Sequence, residues 1–452
     1  MATKVDELLQ PEYDSLMQGV VDNLTNFIEN IKCIKETYEY SELTLRTHLI
    51  ETSGKYNNFI KSCGYKDVDG RYVIEVPIYR VRELHRLHQK KCRAERAFEL
   101  VPPSYFVSLV SAYDSFFAGL VRSYYVICPE KLQESEMKFS YRELQELENI
   151  SGVTRRIIDK RVESLLRDSH VDQIAWFAKA LDVNTLTTFK GWEDFVEATE
   201  RRNLFVHANG TVSRQYIEVC TKYSSLADGI LEGNQLKVDK AYFDKAFKTF
   251  YKIAIMLSQM LLRVKYCEKA EGGCESIVDR VLIGNIFDII VDKYYDVAID
   301  VSEMVLSNPK FSHNAFDRMY IVLNYAQAYK WSGNQAKCCE ILMKEDWTAY
   351  TNELLIPKYT LEENYEEVYK RMREIGNANK HITMSSYREW PIFQLLREQS
   401  EFEVVFAEIY GENFGSITDV EVAQVAGVPD NDISSRAIES RKPGQIDGHG
   451  EL

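Results

Sequence analysis

Glycine and proline are scarce in this 452-residue chain, at 21 and 10 residues. Turn-rich sheet architectures draw on both, so their scarcity favours long helices. Long uncharged hydrophobic runs are missing too. The most apolar helical segments are 107–127 and 253–264. The first contains Asp114 and Arg122, and the second is too short to cross a bilayer. Both read as buried core helices, and no membrane partner is expected. There is no phosphate-binding glycine-rich loop, no His-Glu-x-x-His zinc motif and no serine nucleophile elbow, so those three chemistries have no sequence support. A cysteine framework is lacking as well. The nine cysteines are scattered and odd in number, with no Cys-x-x-Cys pair. They read as reduced thiols of a cytoplasmic protein. The N-terminus carries Lys4, Asp6 and Glu7 before any apolar run, so no secretory leader is expected.

What is present describes a globular chain. Hydrophobic residues make up 45% and charged residues 27%, proportions of a soluble protein with sizeable cores. The length suggests two or three domains. A net charge of −14 excludes a chain that coats nucleic acid over its whole surface. It leaves room for a local basic cleft, because only the local field matters at a site.

Helical periodicity dominates. Residues 13–35 space their apolar side chains as an amphipathic helix does (Leu16, Val20, Leu24, Phe27, Ile31). Residues 71–78, after Asp69-Gly70, suit a short edge strand. Pro102-Pro103 predict a break and the start of a new helix at 104–125. Further helices are expected over 141–149, 154–167, 171–180, 192–207 and 241–265. Glu271-Gly272-Gly273 predict a domain boundary. The expected division is an N-terminal helical extension over 1–99, a helical bundle over 100–270, a helical region over 276–412 and a disordered tail over 413–452, with one short helix at 420–425. Within the third part, Ala326, Tyr329, Gly333 and Cys338 stand where a tetratricopeptide-like helix pair wants small, aromatic, turn and small residues. One such repeat is clear, and an unrelated bundle is the alternative.

The most informative stretch is Arg202-Asn203-Leu204-Phe205-Val206-His207. An imidazole moves protons near neutral pH. A guanidinium holds a phosphate oxygen in bidentate fashion and stabilises charge that develops on it. Asn203 and His207 are spaced i, i+4 and share a helix face. Arg202 lies roughly 140° away from His207, at ~100° per residue. It must reach around, act where the helix frays, or serve a site shared with another helix. Gly210 is a fitting helix stop, which puts His207 near an open end. Arg80 with His85 and Arg82 with His88 repeat the bare Arg…His spacing, but no amide follows either arginine. An ordinary helix end with a solvated arginine is the competing interpretation.

Other residues enter around this stretch. Asp114 interrupts an apolar helix and either faces water or is buried with a partner. It is placed to orient Arg202 and His207 if the two helices pack together. Glu197, Glu200 and Arg201 flank the stretch as supporting residues. Arg155, Arg156, Lys160 and Arg161, with Arg167, form one basic run. Lys90, Lys91, Arg93 and Arg96 form another. Each suits a nucleic-acid backbone or a solvated helix face. His85, His88 and Cys92 share a helix face and offer three candidate zinc ligands, without a clearly spaced fourth. The preferred expectation is no metal and no cofactor.

Residues 197–210, with Tyr216 after them, resemble the signature helix of the HEPN-superfamily ribonucleases. That family's motif is an arginine, a polar residue, and a histidine after four to six intervening positions. Residues 108–122, with the embedded Asp114, are similar to the family's preceding core helix. The resemblance covers about residues 100–270. It implies an all-α HEPN-like bundle, here with an N-terminal extension and followed by a short helical-repeat-like domain. It implies a metal-independent RNA endonuclease that pairs as a homodimer so that two motifs face one cleft. The implied chemistry is attack of a ribose 2′-OH on the adjacent phosphorus, leaving a 2′,3′-cyclic phosphate. His207 would move a proton, Arg202 would stabilise the phosphorane, and Asn203 would position either. Bacterial relatives of this type serve in phage defence or as toxins, and a helical-repeat region would suit a sensor or a docking site for a regulating protein. The alternative is a non-catalytic scaffold that binds protein or RNA.

Overall fold

The computed structural model describes residues 15–415, except 67–71, 133–138, 140–141, 143–148, 184–188, 271–272, 309–310 and 312. The helix expected over 141–149 falls almost wholly outside the described residues. The tail from 416 onward, where a short helix is expected, also lies outside them.

The described chain is all-α apart from one small hairpin. Helix α1 spans Ser15–Cys63 and helix α2 spans Val81–Ile127. They run antiparallel, joined by strands β1 (Gly64–Lys66) and β2 (Tyr72–Ile74), which pair in antiparallel register. The strand expected at 71–78 is therefore real but shorter. The break expected at Pro102-Pro103 does not occur, because both prolines sit inside α2. A proline inside a helix removes one backbone hydrogen bond and crowds the preceding turn. Pro102 is buried, and the packing of α2 against α1 offsets that cost.

The lower half of this pair is core. Met17, Val20, Leu24, Phe27 and Ile31 of α1 meet Phe106, Leu109, Tyr113, Phe117 and Leu120 of α2, all essentially without solvent contact. The upper half is different. Between Tyr38 and Val101 few side chains are buried, among them Thr52, Phe59 and Ala94. The two helices project there as an arm roughly 35 Å long, at 1.5 Å per residue.

Five helices build out the bundle from the lower half. They are α3 (Ile150–Leu165), α4 (His170–Leu181), α5 (Trp192–Ala208), α6 (Arg214–Lys222) and α7 (Lys240–Leu261), which runs on as one π turn over Leu262–Tyr266. The fourth of them, α6, packs on α5 through Leu204, Tyr216 and Cys220. Helix α7 is the centre of the bundle, with Phe243, Phe247, Phe250, Ile253 and Leu257 all buried. The bundle core continues beyond residue 273. Val278, Leu282 and Ile286 of α8 (Cys274–Val291), and Ala298 and Val301 of α9 (Tyr295–Ser307), belong to the same apolar cluster. A disulfide bridges Cys267 and Cys274, with Cα atoms 5.6 Å apart. The expectation of nine reduced thiols is corrected at this pair, which the reversal of the chain brings together.

A second core follows. It is built from α10 (Ala315–Trp331), α11 (Gln335–Met343), α12 (Asn352–Leu361), α13 (Tyr365–Ile375), α14 (Met384–Glu389) and α15 (Ser400–Tyr410). Ala326 and Cys338 have no solvent contact, as small residues at a close helix approach should. The pairs α8–α9, α10–α11 and α12–α13 share one connection. The middle residue of each turn has positive φ: Lys293 at 64°, Gly333 at 88° and Glu363 at 60°. In each, the next backbone N–H returns to a carbonyl five residues back, Tyr294 to Ile289, Asn334 to Tyr329 and Asn364 to Tyr359. Three helix pairs thus repeat, where the sequence displays one.

Candidate functional site

Helix α5 carries the Arg-Asn…His stretch. Its inner face is set by Trp192, Phe195, Val196 and Thr199, all buried. Its end is fixed by backbone geometry. Asn209 and Gly210 both adopt positive φ, and the Gly210 N–H donates to the Leu204 carbonyl at 3.0 Å. A Cβ on Gly210 would lie 2.7 Å from the Phe205 ring and 2.9 Å from the Gln235 amide. Only glycine fits, so the helix stops here. His207 therefore stands in the last turn. It is exposed and makes no hydrogen bond among the described residues.

Arg202 points the other way, toward α2. Its Nη2 donates to Asp114 Oδ2 at 2.7 Å, and its Nη1 donates to the Asn203 side-chain oxygen at 3.2 Å. The other Asp114 oxygen meets His170 Nε2 at 2.8 Å. One carboxylate thus joins α2, α4 and α5. The His170 ring is nearly buried and lies against Tyr113 and Phe195. Asp114 and Arg202 keep about a quarter of their side-chain surface, so this edge is open to solvent.

The structure brings Asp114, Arg202, Asn203 and His170 together. It does not bring His207 to Arg202 within the chain. Helix α5 is unbroken from one to the other, so the rotation of roughly 140° between them persists. His170 was not recognised from the sequence. The available signals were that it is the sole histidine besides His207 between residues 100 and 270, and that Ser169 caps its helix.

The flanking residues turn out to hold the scaffold. Glu197 accepts from Arg201 Nε at 2.6 Å, from the Tyr216 hydroxyl at 2.7 Å and from the Tyr242 hydroxyl at 2.6 Å. Arg201 also donates to the Lys237 carbonyl at 3.0 Å and stacks over the Tyr242 ring. This group ties α5 to α6 and α7, away from Asp114. Burial and the Glu197 charge push both phenols far above their ordinary range, so they remain donors. Glu200 is buried on the same helix. Burial lifts its carboxyl above the ordinary carboxylate range, and nearby His170 partly offsets that.

The basic run of α3 does not act as one face. Arg155 and Arg156 are exposed, whereas Lys160 and Arg161 are half-buried. Lys160 lies over the Phe139 ring. The candidate zinc ligands also find other partners. His85 bonds to Gln89, and His88 meets Cys92 and the Tyr56 ring. Among the described residues, no group of three or more His, Cys, Asp or Glu side chains is arranged to hold a metal ion.

No family model, curated protein or solved structure matches this chain.

Proposed function

We infer that the chain is a metal-independent RNA endonuclease of the HEPN type, working as a homodimer. The observation that carries this reading is the pairing of an oriented guanidinium with an unengaged imidazole on one helix. Asp114 and Asn203 hold Arg202 at a solvent-open edge. His207, one and a half turns on, stands free at the helix end. A phosphodiester needs such a division of labour. The guanidinium stabilises negative charge on the phosphorane, and the imidazole accepts or returns a proton. The ribose 2′-OH is the nucleophile, and the 5′-oxygen leaves as a hydroxyl.

The opposed directions of Arg202 and His207 favour a composite site. Across a two-fold axis, Arg202 of one protomer and His207 of its partner would face one cleft. The test is cleavage of RNA in excess chelator, followed by identification of the termini. The expected result is 2′,3′-cyclic phosphate and 5′-hydroxyl ends, lost in His207→Ala. Full cleavage by His207→Ala would overturn the assignment. By analogy with the resembling nucleases, the biological setting is phage defence or a toxin system, with the helix pairs α8 to α13 as the docking site for a regulator.

A second reading has one observation in its favour. Arg202 is already engaged by Asp114 and Asn203, as in a purely structural pair. A non-catalytic scaffold that binds protein or RNA would look the same. RNA cleavage abolished by Arg202→Ala at unchanged thermal stability would exclude it.

A further inference from the structure

The arm made by the upper halves of α1 and α2 contributes little to either core, yet its charge is strongly organised. Residues 80–99 hold seven arginines and lysines against three glutamates, in a chain whose net charge is −14. Arg82, Arg86, Arg93 and Arg96 are all exposed. At ~100° per residue they fall within an arc of about 80°, opposite the face that carries Leu84, Leu87, Ala94 and Phe98 toward α1. No glutamate lies in that arc. Glu83 pairs with Arg80 and Glu95 pairs with Lys91, both off the stripe. Neither a salt bridge nor a carboxylate hydrogen bond engages the four arginines among the described residues, and Arg93 bonds only to a carbonyl of its own helix. The stripe is about 21 Å long, at 1.5 Å per residue. One turn before Arg82, at its outer end, Ile78 and Tyr79 are 93% and 85% exposed.

A solvated helix face normally mixes both signs of charge and pairs them at i, i+4. This one excludes carboxylates along three to four turns, and all four of its charged residues are arginines, with Gln89 between the two pairs. Arginine forks match phosphate oxygens. Arg82 and Arg86, like Arg93 and Arg96, stand about one turn apart and the two pairs about two turns apart, a spacing that suits phosphates along one strand, and an exposed tyrosine at the end offers a base a ring to stack on.

We propose that this arm is a binding surface for single-stranded RNA, gripping the backbone along Arg82, Arg86, Arg93 and Arg96 and stacking a base on Tyr79. The choice of RNA rests on the nuclease reading; the polyanion-binding stripe does not. The test measures binding, not cleavage, with the full-length His207→Ala protein and a fluorescein-labelled mixed-sequence RNA of about 20 nucleotides. Its log K against log salt should slope by about −0.7 per phosphate contact. The triple variant R82Q/R86Q/R93Q should flatten that slope by about 2 and weaken binding at least ~10-fold. The same three changes to lysine should keep most of the affinity, and Tyr79→Ala should lose about tenfold. Unchanged thermal melting of all variants would show that they fold. Three outcomes overturn the proposal: unchanged RNA affinity in the glutamine triple variant, loss only on substituting Arg155 and Arg156, or equal arginine-dependent binding to vesicles of anionic phospholipid. RNA that is bound by the wild type but not cut would leave the arm standing and remove the nuclease reading.

Discussion

Asp114 holds two cationic or potentially cationic side chains at once, and its removal would expose how much the site depends on it. Asp114→Asn removes the negative charge and leaves one acceptor oxygen where Arg202 and His170 each had their own. The expected cost is about 3 kcal/mol of stability, visible as a lower melting temperature, with a parallel loss of RNA cleavage. His207 is the contrast. It touches nothing that folding requires, so His207→Ala should leave melting unchanged while cleavage falls by ~10²–10⁴. Glu200 supplies a pH test. Its folded-state carboxyl holds its proton more tightly than the unfolded one, so it favours the folded state in acid. That support is withdrawn as pH rises from the ordinary carboxylate range through the raised value. Glu200→Gln should therefore raise the melting temperature at about pH 8 and change little at about pH 4. At this scale the sequence was informative where spacing along one helix decided the outcome. Asp114 stood out as a lone acid on an apolar helix. His170 did not, because its contact with Asp114 spans 56 positions and no local pattern encodes it.

At the level of elements, Glu197 decides how α5 is seated. Three donors converge on it, from α5, α6 and α7. Glu197→Ala would leave Arg201 uncompensated and two phenols without an acceptor. Chemical denaturation should show a loss of about 3–5 kcal/mol. The helix-pair turns carry a smaller prediction of the opposite sign. Lys293 sits at a φ that glycine adopts without cost, so Lys293→Gly should stabilise the protein by about 1 kcal/mol. The same residue explains why the repeat was only partly legible. Gly333 announces its turn in the sequence, whereas Lys293 and Glu363 adopt the same backbone geometry without a glycine to mark it. Pro102 and Pro103 misled in the other direction. Their local preference for a helix start is overridden by the long packed seam of α1 against α2.

For the whole molecule, the junction between the bundle and the helix pairs is a buried charge cluster. Asp279 of α8 accepts from Arg263 at 2.7 Å and from the Asn314 backbone at 3.0 Å, and it meets His313 at 2.8 Å. Its side chain has no solvent contact, and Arg263 has almost none. The two parts are thus joined by polar groups that need one another, within one core that holds residues of both α7 and α8. The composition and helical periodicity made the all-α class readable. The continuity of that core was not readable, since glycines mark a turn whether or not packing continues beyond it.

In the proposed enzyme one active site draws on two protomers. Mixing Arg202→Ala with His207→Ala tests it most directly, because each variant alone is expected to be inactive. A heterodimer of the two retains one intact pair, Arg202 from one protomer and His207 from the other. With free exchange of protomers, the mixture should recover about a quarter of wild-type RNA cleavage. A mixture that exchanges protomers yet stays as inactive as its components would contradict the composite site.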